Sequence, residues 1–217
     1  MTNTRAFDEN AKAYDDWFEA HQSFYESELE AIRSLIPVTG NGIEIGVGTG
    51  RFAQPLGIKT GIEPSPAMRA IARERDINAI DGVAEKLPLE SETFDYVLFV
   101  TTLCFLDSLN QAFHEAFRIL KPQGAVVIGF IEKESILGRI YQQGKAESRF
   151  YREASFHTAG EIRRGLEATG FTDFSFVQTL FPGEHETGAV QAVKQGYGEG
   201  AFVVVRAIKP DKASIHS

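Results

Sequence analysis

The run Glu44-Ile45-Gly46-Val47-Gly48-Thr49-Gly50 limits what this chain can fold into more than any other stretch. Gly42 to Ile45 reads as a short strand. The three alternating glycines after it allow positive φ and let the backbone approach a ligand with no Cβ in the way. A helix is expected to leave this turn over Arg51 to Leu56, cut short by Pro55 and Gly57. Exposed N–H groups at such a turn favour a negatively charged ligand group.

The spacing narrows the ligand. A dinucleotide fingerprint asks for a third small residue where this chain has Arg51. Glu44, on the strand entering the turn, disfavours a pyrophosphate and suits a ligand that carries an ammonium. This Glu-x-Gly-x-Gly-x-Gly pattern resembles motif I of the class I S-adenosylmethionine-dependent methyltransferases, in which the glycine turn lies against the methionine part of the cofactor.

Ahead of the turn, Phe7, Ala11, Tyr14, Trp17 and Phe18 fall at helical spacing as an aromatic stripe. Ser23 with Glu26 reads as a capping box for a second helix carrying Leu29, Ile32 and Ile36 and ended by Pro37. These two helices are expected to form a hydrophobic flap on one side of the sheet.

Beyond the turn, Ile58 to Glu63 reads as the second strand. Ser65 and Pro66 then cap and open a helix that runs to about Arg75. Glu63 ends its strand about 20 residues past the first glycine, the placement of an acid that holds ribose hydroxyls. Asn78 to Asp81 is a short third strand, and the nearly continuous apolar run Phe94 to Val100 reads as a central parallel strand. Ser108 with Gln111 starts a helix over Leu109, Ala112, Phe113, Ala116 and Leu120, and Ala125 to Phe130 is the fifth strand. Ser135 to Gln143 is expected to be helical, and Thr158 with Glu161 caps a helix ending at Gly170. Phe171 to Phe181 and Ala201 to Ile208 are expected as strands. The connection from Pro182 to Gly200 is long for a structureless loop and argues for function or mobility.

The resemblance extends to the Leu87-Pro88-Leu89 loop, to Phe94-Asp95 at the start of strand four, and to Leu120-Lys121-Pro122-x-Gly124. It covers about Phe7 to Ile208 and points to small-molecule methyltransferases such as the ubiquinone and menaquinone biosynthesis group. It implies a doubly wound, mostly parallel seven-stranded α/β sheet with a C-terminal antiparallel strand pair and an N-terminal helical flap. The whole chain, 1–217, is expected as a single domain: a flap at 1–37, a cofactor-binding half at 42–130 and a substrate-side half at 131–208. By resemblance the cofactor is S-adenosylmethionine, leaving as S-adenosylhomocysteine. Glu44, Gly46, Gly48 and Gly50 go to its methionine end, Glu63 to the ribose, Val83 and Ala84 to adenine, and Thr101 to the methionine side, with Pro64 and Glu85 as further cofactor-binding residues. One departure is Val83, where many relatives carry an aspartate for the adenine amino group. Here that group has no acid partner unless Asp81 or Glu85 supplies one.

Tyr14, Trp17, His21, Phe105 and Tyr197 are candidates to line the acceptor's pocket. No catalytic residue is assigned: His21, His114, His157 and His185 form neither a triad nor a metal constellation, and the one cysteine, Cys104, reads as a small buried hydrophobe. A net charge of −8 speaks against nucleic acid and anionic membrane as partners and leaves a small-molecule acceptor. No apolar run spans a membrane and no signal peptide is visible, so a cytoplasmic protein is expected. Two other functions remain open, a non-catalytic cofactor-binding module and an NAD-dependent oxidoreductase, the latter in conflict with Glu44 and Arg51.

Overall fold

The computed structural model describes residues 4–183 and 188–211. Two helices come first, α1 (Arg5–Ala20) and α2 (Gln22–Arg33). They are followed by β1 (Gly42–Ile45), β2 (Thr60–Ile62), α3 (Pro66–Glu74), β3 (Asn78–Ile80), β4 (Phe94–Val100), α4 (Leu109–Ile119) and β5 (Leu120–Ile131). The chain then forms α5 (Ile136–Gly144), α6 (Ala159–Thr169), β6 (Thr172–Thr179), β7 (Lys194–Gln195) and β8 (Phe202–Ile208). The strands make one sheet in the order β3-β2-β1-β4-β5-β8-β6-β7. The first five strands are parallel, and β8 pairs antiparallel with both β5 and β6.

The two-residue side-chain period of the strands divides the core. Val97 and Phe99 of β4, with Val203 and Val205 of β8, face α4 and α6 through Phe113, Ala116, Ile162 and Leu166. Leu98 and Val100, with Phe202 and Val204, face Leu29, Ile32 and Phe52 on the other side. Strand order reverses between β1 and β4. Carboxyl ends of parallel strands open a crevice at such a point.

Several details differ from the sequence reading. The sheet has eight strands instead of seven because the Pro182–Gly200 connection contributes β7 to the edge of β6. Within that connection Gln191 is held in place, since its backbone N–H donates to Ser27 of α2 at 2.9 Å and its side chain accepts from Phe181 N–H at 2.6 Å. Residues Arg51 to Gly57 form hydrogen-bonded turns and no helix, as Pro55 and Gly57 leave too little chain to propagate one. Ser23 is no cap, because only His21 separates α1 from α2, which starts at Gln22, and Ser23 already lies inside it. β5 begins at Leu120 through a bulged pairing with Phe94. The capping box at Thr158 and Glu161 forms as expected. No helix among the described residues is long and apolar enough to cross a membrane.

Candidate active site

The crevice takes its shape from the glycine turn. Gly46 and Gly48 have φ of +74° and +53°, and the N–H groups of Gly46 and Val47 both donate to the Ile62 carbonyl, at 2.8 and 2.9 Å. A Cβ on Gly46 would come within 2.4 Å of the Thr102 hydroxyl oxygen. Glycine is therefore required there by both conformation and space.

Glu63 stands at the end of β2. One carboxylate oxygen accepts from Gly48 N–H and the other from Ser65 N–H, both at 2.9 Å. Burial raises its pKa, and the two amides oppose that rise. The carboxylate thus joins the glycine turn to the start of α3 and retains lone pairs toward the crevice. Arg69 braces the same loop by donating to the Glu63 and Pro64 carbonyls.

A pocket opens above these groups. Gly46, Gly48, Glu63, Pro64, Val83, Ala84, Glu85 and Thr101 all line it, together with Phe105. Tyr14, a pocket candidate from the sequence, lines it as well, and so do Thr4, Phe7 and Met68, which the sequence did not single out as pocket residues. Thr101 is held at φ +49°, an unusual backbone for a residue with a Cβ, of the kind that gathers at functional sites.

Two of the expected cofactor residues lie outside this pocket. Gly50 has φ +84°, but a Cβ on it would meet Ile77 and Ala72, so its smallness serves the packing of α3. Glu44 is 2% exposed, its carboxylate takes a hydrogen bond from Ala53 N–H, and one of its oxygens has no partner. Burial raises its pKa well above the usual range. Of the two acids proposed for the adenine amino group, Glu85 lines the pocket and Asp81 does not. Asp81 is turned outward onto Arg69 at 2.8 Å, and Glu85 accepts the N–H groups of Asp107 and Ser108 at the start of α4.

The roof of the pocket is α1, kinked at Asn10, whose side chain donates to the Ala6 carbonyl. Ser65 donates to Asp8 at one end of the roof. Further along, Arg51 grips Asp15 through two nitrogens at 2.8 Å and reaches Glu19 at 2.7 Å, while Arg75 also binds Asp15 at 2.8 Å. Burial favours a higher pKa for Asp15, but hydrogen bonds from Arg51, Arg75 and Thr49 outweigh it and hold the carboxyl well below its usual range. The arginine that spoils a dinucleotide fingerprint is the anchor of the flap.

A second cavity, of about 150 Å³, lies beside the first. Phe7, Tyr14, Thr101 and Phe105 form a wall common to both. Trp17, Phe18, Phe52, Tyr141, Phe150 and Tyr151 complete its aromatic lining, and Glu28 of α2 is its one carboxylate. The rings form a connected cluster: Phe7 stacks on Phe150 with centroids 5.5 Å apart, and Tyr151 stacks on Phe105 at 5.8 Å and on Tyr141 at 5.1 Å. Glu28 escaped the sequence reading, although its spacing to Ile32 and Leu35 puts it on the apolar side of α2.

The remaining candidates lie elsewhere. His21 is exposed, with its ring stacked on Trp17 and Nδ1 at 2.9 Å from the Trp17 carbonyl oxygen, so the turn between α1 and α2 directs it away from both cavities. Tyr197 is 46% exposed and packs on Phe176 near the far sheet edge, because β7 carries its loop there. His114 is exposed on α4, and His157 borders a smaller apolar space behind Cys104, where burial lowers its pKa. His185 lies outside the described residues. Desolvation pushes the Cys104 thiol up to about 12, which keeps it protonated at neutral pH. No group of three or more His, Cys, Asp or Glu among the described residues is placed to hold a metal ion.

A switch-point pocket with an acid at the end of its second strand defines a Rossmann-like adenosine-binding class of α/β protein. Comparison with known proteins names the family. A methyltransferase domain profile matches residues 43–128. A solved S-adenosylmethionine-dependent methyltransferase of Thermotoga maritima, described as a possible histamine N-methyltransferase, is 47% identical, covers 95% of this chain and 99% of its own, and superposes with a TM-score of 0.92. An uncharacterized protein of Methanocaldococcus jannaschii is 42% identical over 94% of this chain and 98% of its own length. Another from Mycobacterium tuberculosis is 34% identical over 96% of this chain and 75% of its own. The chain belongs to the S-adenosylmethionine-dependent methyltransferases, and S-adenosylmethionine is the cofactor of that family.

Proposed function

We propose that the chain transfers a methyl group from S-adenosylmethionine to a small-molecule acceptor. The cofactor occupies the switch-point pocket in this reading, and the acceptor occupies the aromatic cavity beside it. The observation that carries it is the wall of Phe7, Tyr14, Thr101 and Phe105 common to both spaces. Ligands in two adjoining spaces that share these lining residues meet at the common border, and alignment of that kind supplies much of the rate in a displacement. In this reading 42–130 is the cofactor half, and 131–208, with the flap at 1–37, completes the acceptor side of one domain.

The residues at the pocket fit the cofactor's parts. Glu63 accepts from the ribose hydroxyls while keeping its bonds to Gly48 and Ser65, and Pro64 borders the sugar. Val83 and Ala84 offer an apolar edge to adenine, with the Val83 side chain where an acid would pair with the amino group. Gly46, Gly48 and Thr101 border the methionine end, and Glu44 supports the turn from beneath it. When bound, S-adenosylmethionine supplies a methyl group made electrophilic by its sulfonium. The ring faces of Tyr14 and Phe105 attract positive charge beside them. α1 excludes water from the space below it.

Calorimetric titration with S-adenosylhomocysteine and with NADH tests the cofactor assignment. S-adenosylhomocysteine binds, NADH does not, and Glu63→Ala weakens binding by about a hundredfold, the worth of two hydrogen bonds to a charged group. An affinity unchanged in Glu63→Ala defeats the ribose assignment. Radiolabelled methyl transfer to a metabolite panel separates an enzyme from a non-catalytic binding module.

A further inference from the structure

Glu28 occupies a place where a carboxylate is costly. It lies on the inner face of α2 among Ser27, Leu29, Ala31 and Ile32 and is 6% exposed. It opens onto the aromatic cavity beside Tyr141 and Tyr151. No hydrogen bond or ion pair reaches it among the described residues, and burial is the one influence on its ionisation. An ionised group so placed pays desolvation with nothing in return until a cation arrives.

The rest of the cavity suits such a cation. Ring faces attract positive charge, most strongly where water is excluded. The volume of about 150 Å³ is near that of a protein cavity known to admit benzene, so a ligand with one ring and a short arm is the right size. An acceptor bearing a carboxylate would bring a second acid into the same dry space, and a neutral one supplies no positive charge to hold Glu28 ionised.

We propose that the aromatic cavity takes a compact amine as its methyl acceptor, and that Glu28 recognises the ammonium group. This rests on the methyltransferase reading and adds to it the class of acceptor. Glu28 also provides the route by which the nitrogen becomes a nucleophile. One N–H bond of the ammonium breaks, its electron pair stays on nitrogen as the lone pair, and the proton passes to the Glu28 carboxylate, which becomes the neutral acid.

Trp17, the only tryptophan of the chain, lines this cavity and reports on it. With S-adenosylhomocysteine present, Trp17 fluorescence is followed during titration with benzylamine and phenethylamine, and separately with benzyl alcohol and phenethyl alcohol. The wild-type protein binds the amines about tenfold or more tightly than the alcohols. Glu28→Gln abolishes that preference. The proposal is overturned if the wild-type protein shows no preference for the amines, if neither class perturbs Trp17, or if Glu28→Gln keeps the preference. The wild-type comparison decides without any variant folding. Calorimetry of S-adenosylhomocysteine on the same samples is independent: loss of that binding counts against the cofactor assignment, whereas its retention without amine preference counts against Glu28 alone.

Discussion

The flap depends on Asp15, and Asp15→Asn isolates that dependence because the side chain keeps its shape and loses its charge. Asp15 is 14% exposed, Arg51 17% and Arg75 18%. Removing the acid of a buried pair costs about 3–5 kcal/mol, mainly from the charge left behind. Here Arg51 keeps Glu19 and Arg75 keeps the Thr49 carbonyl, and both guanidiniums retain some water, which lowers the expected cost to about 2–3 kcal/mol. α1 packs on α3 and α2 and adds no strand to the sheet. The loss should therefore appear as opening of the flap, with its equilibrium raised by about 30- to 150-fold. Hydrogen exchange of the amides from Ala11 to Ala20, read by mass spectrometry, accelerates by that factor while the amides of β4 and β5 stay protected. Equal acceleration in α1 and in the central strands would refute the reasoning, because the ion pairs would then support the whole fold and not the flap. The sign with pH follows from the depressed carboxyl. Its contribution is complete above the unfolded value of 3.8 and is lost as pH falls through the lower folded value, so wild-type α1 loosens only in strong acid.

Two further outcomes follow from geometry. Gly46→Ala places a Cβ 2.4 Å from the Thr102 hydroxyl oxygen and removes S-adenosylhomocysteine binding, whereas Gly50→Ala, with its Cβ 3.2 Å from Ile77, lowers the melting temperature and leaves the affinity of the folded fraction within about threefold of wild type. Calorimetry beside thermal melts checks this; equal loss of affinity in both variants would return Gly50 to the pocket. Burial raises the Glu28 carboxyl from its usual 4.5 to about 8, so the fold loses stability progressively between those values as the carboxyl ionises in the unfolded chain alone. Glu28→Gln is expected to melt near wild type at pH 5 and above it at pH 9, both without ligand, and a gap that does not widen with pH would show that Glu28 is solvated.

The parallel half of the fold was legible because each of its signals is local. Phe94 to Val100 is apolar enough to declare a strand buried on both faces, Ser65-Pro66 fixes a helix start, and the glycine turn can be read from missing Cβ atoms alone. Glu63 was legible for the same reason, as its position depends on strand length. What escaped depends on contacts distant in sequence. Gly50 and Gly46 look alike along the chain, and only the approach of α3 to one and of Thr102 to the other separates them. Tyr197 has the composition of a pocket residue, but its place was set by β7, a pairing too short to leave a pattern. Glu28 was overlooked because an acid in an amphipathic helix is usually solvated, and its burial follows from the packing of α2 on β5, β6 and β8.

Arg51 shows how one departure from a motif does two things. A small residue there would let a helix pack close behind the turn, as dinucleotide binding requires. Here Pro55 and Gly57 leave a series of turns in place of that helix, and the Arg51 guanidinium reaches across to Asp15 and Glu19 on the flap. The flap then carries Phe7 and Tyr14 over the switch point, so the pocket gains an aromatic roof from the far end of the sequence. The same two rings are half of the lining that the pocket shares with the cavity that holds Glu28. Loss of the Arg51 contacts therefore disturbs both spaces together, whereas a change at Glu28 is confined to one.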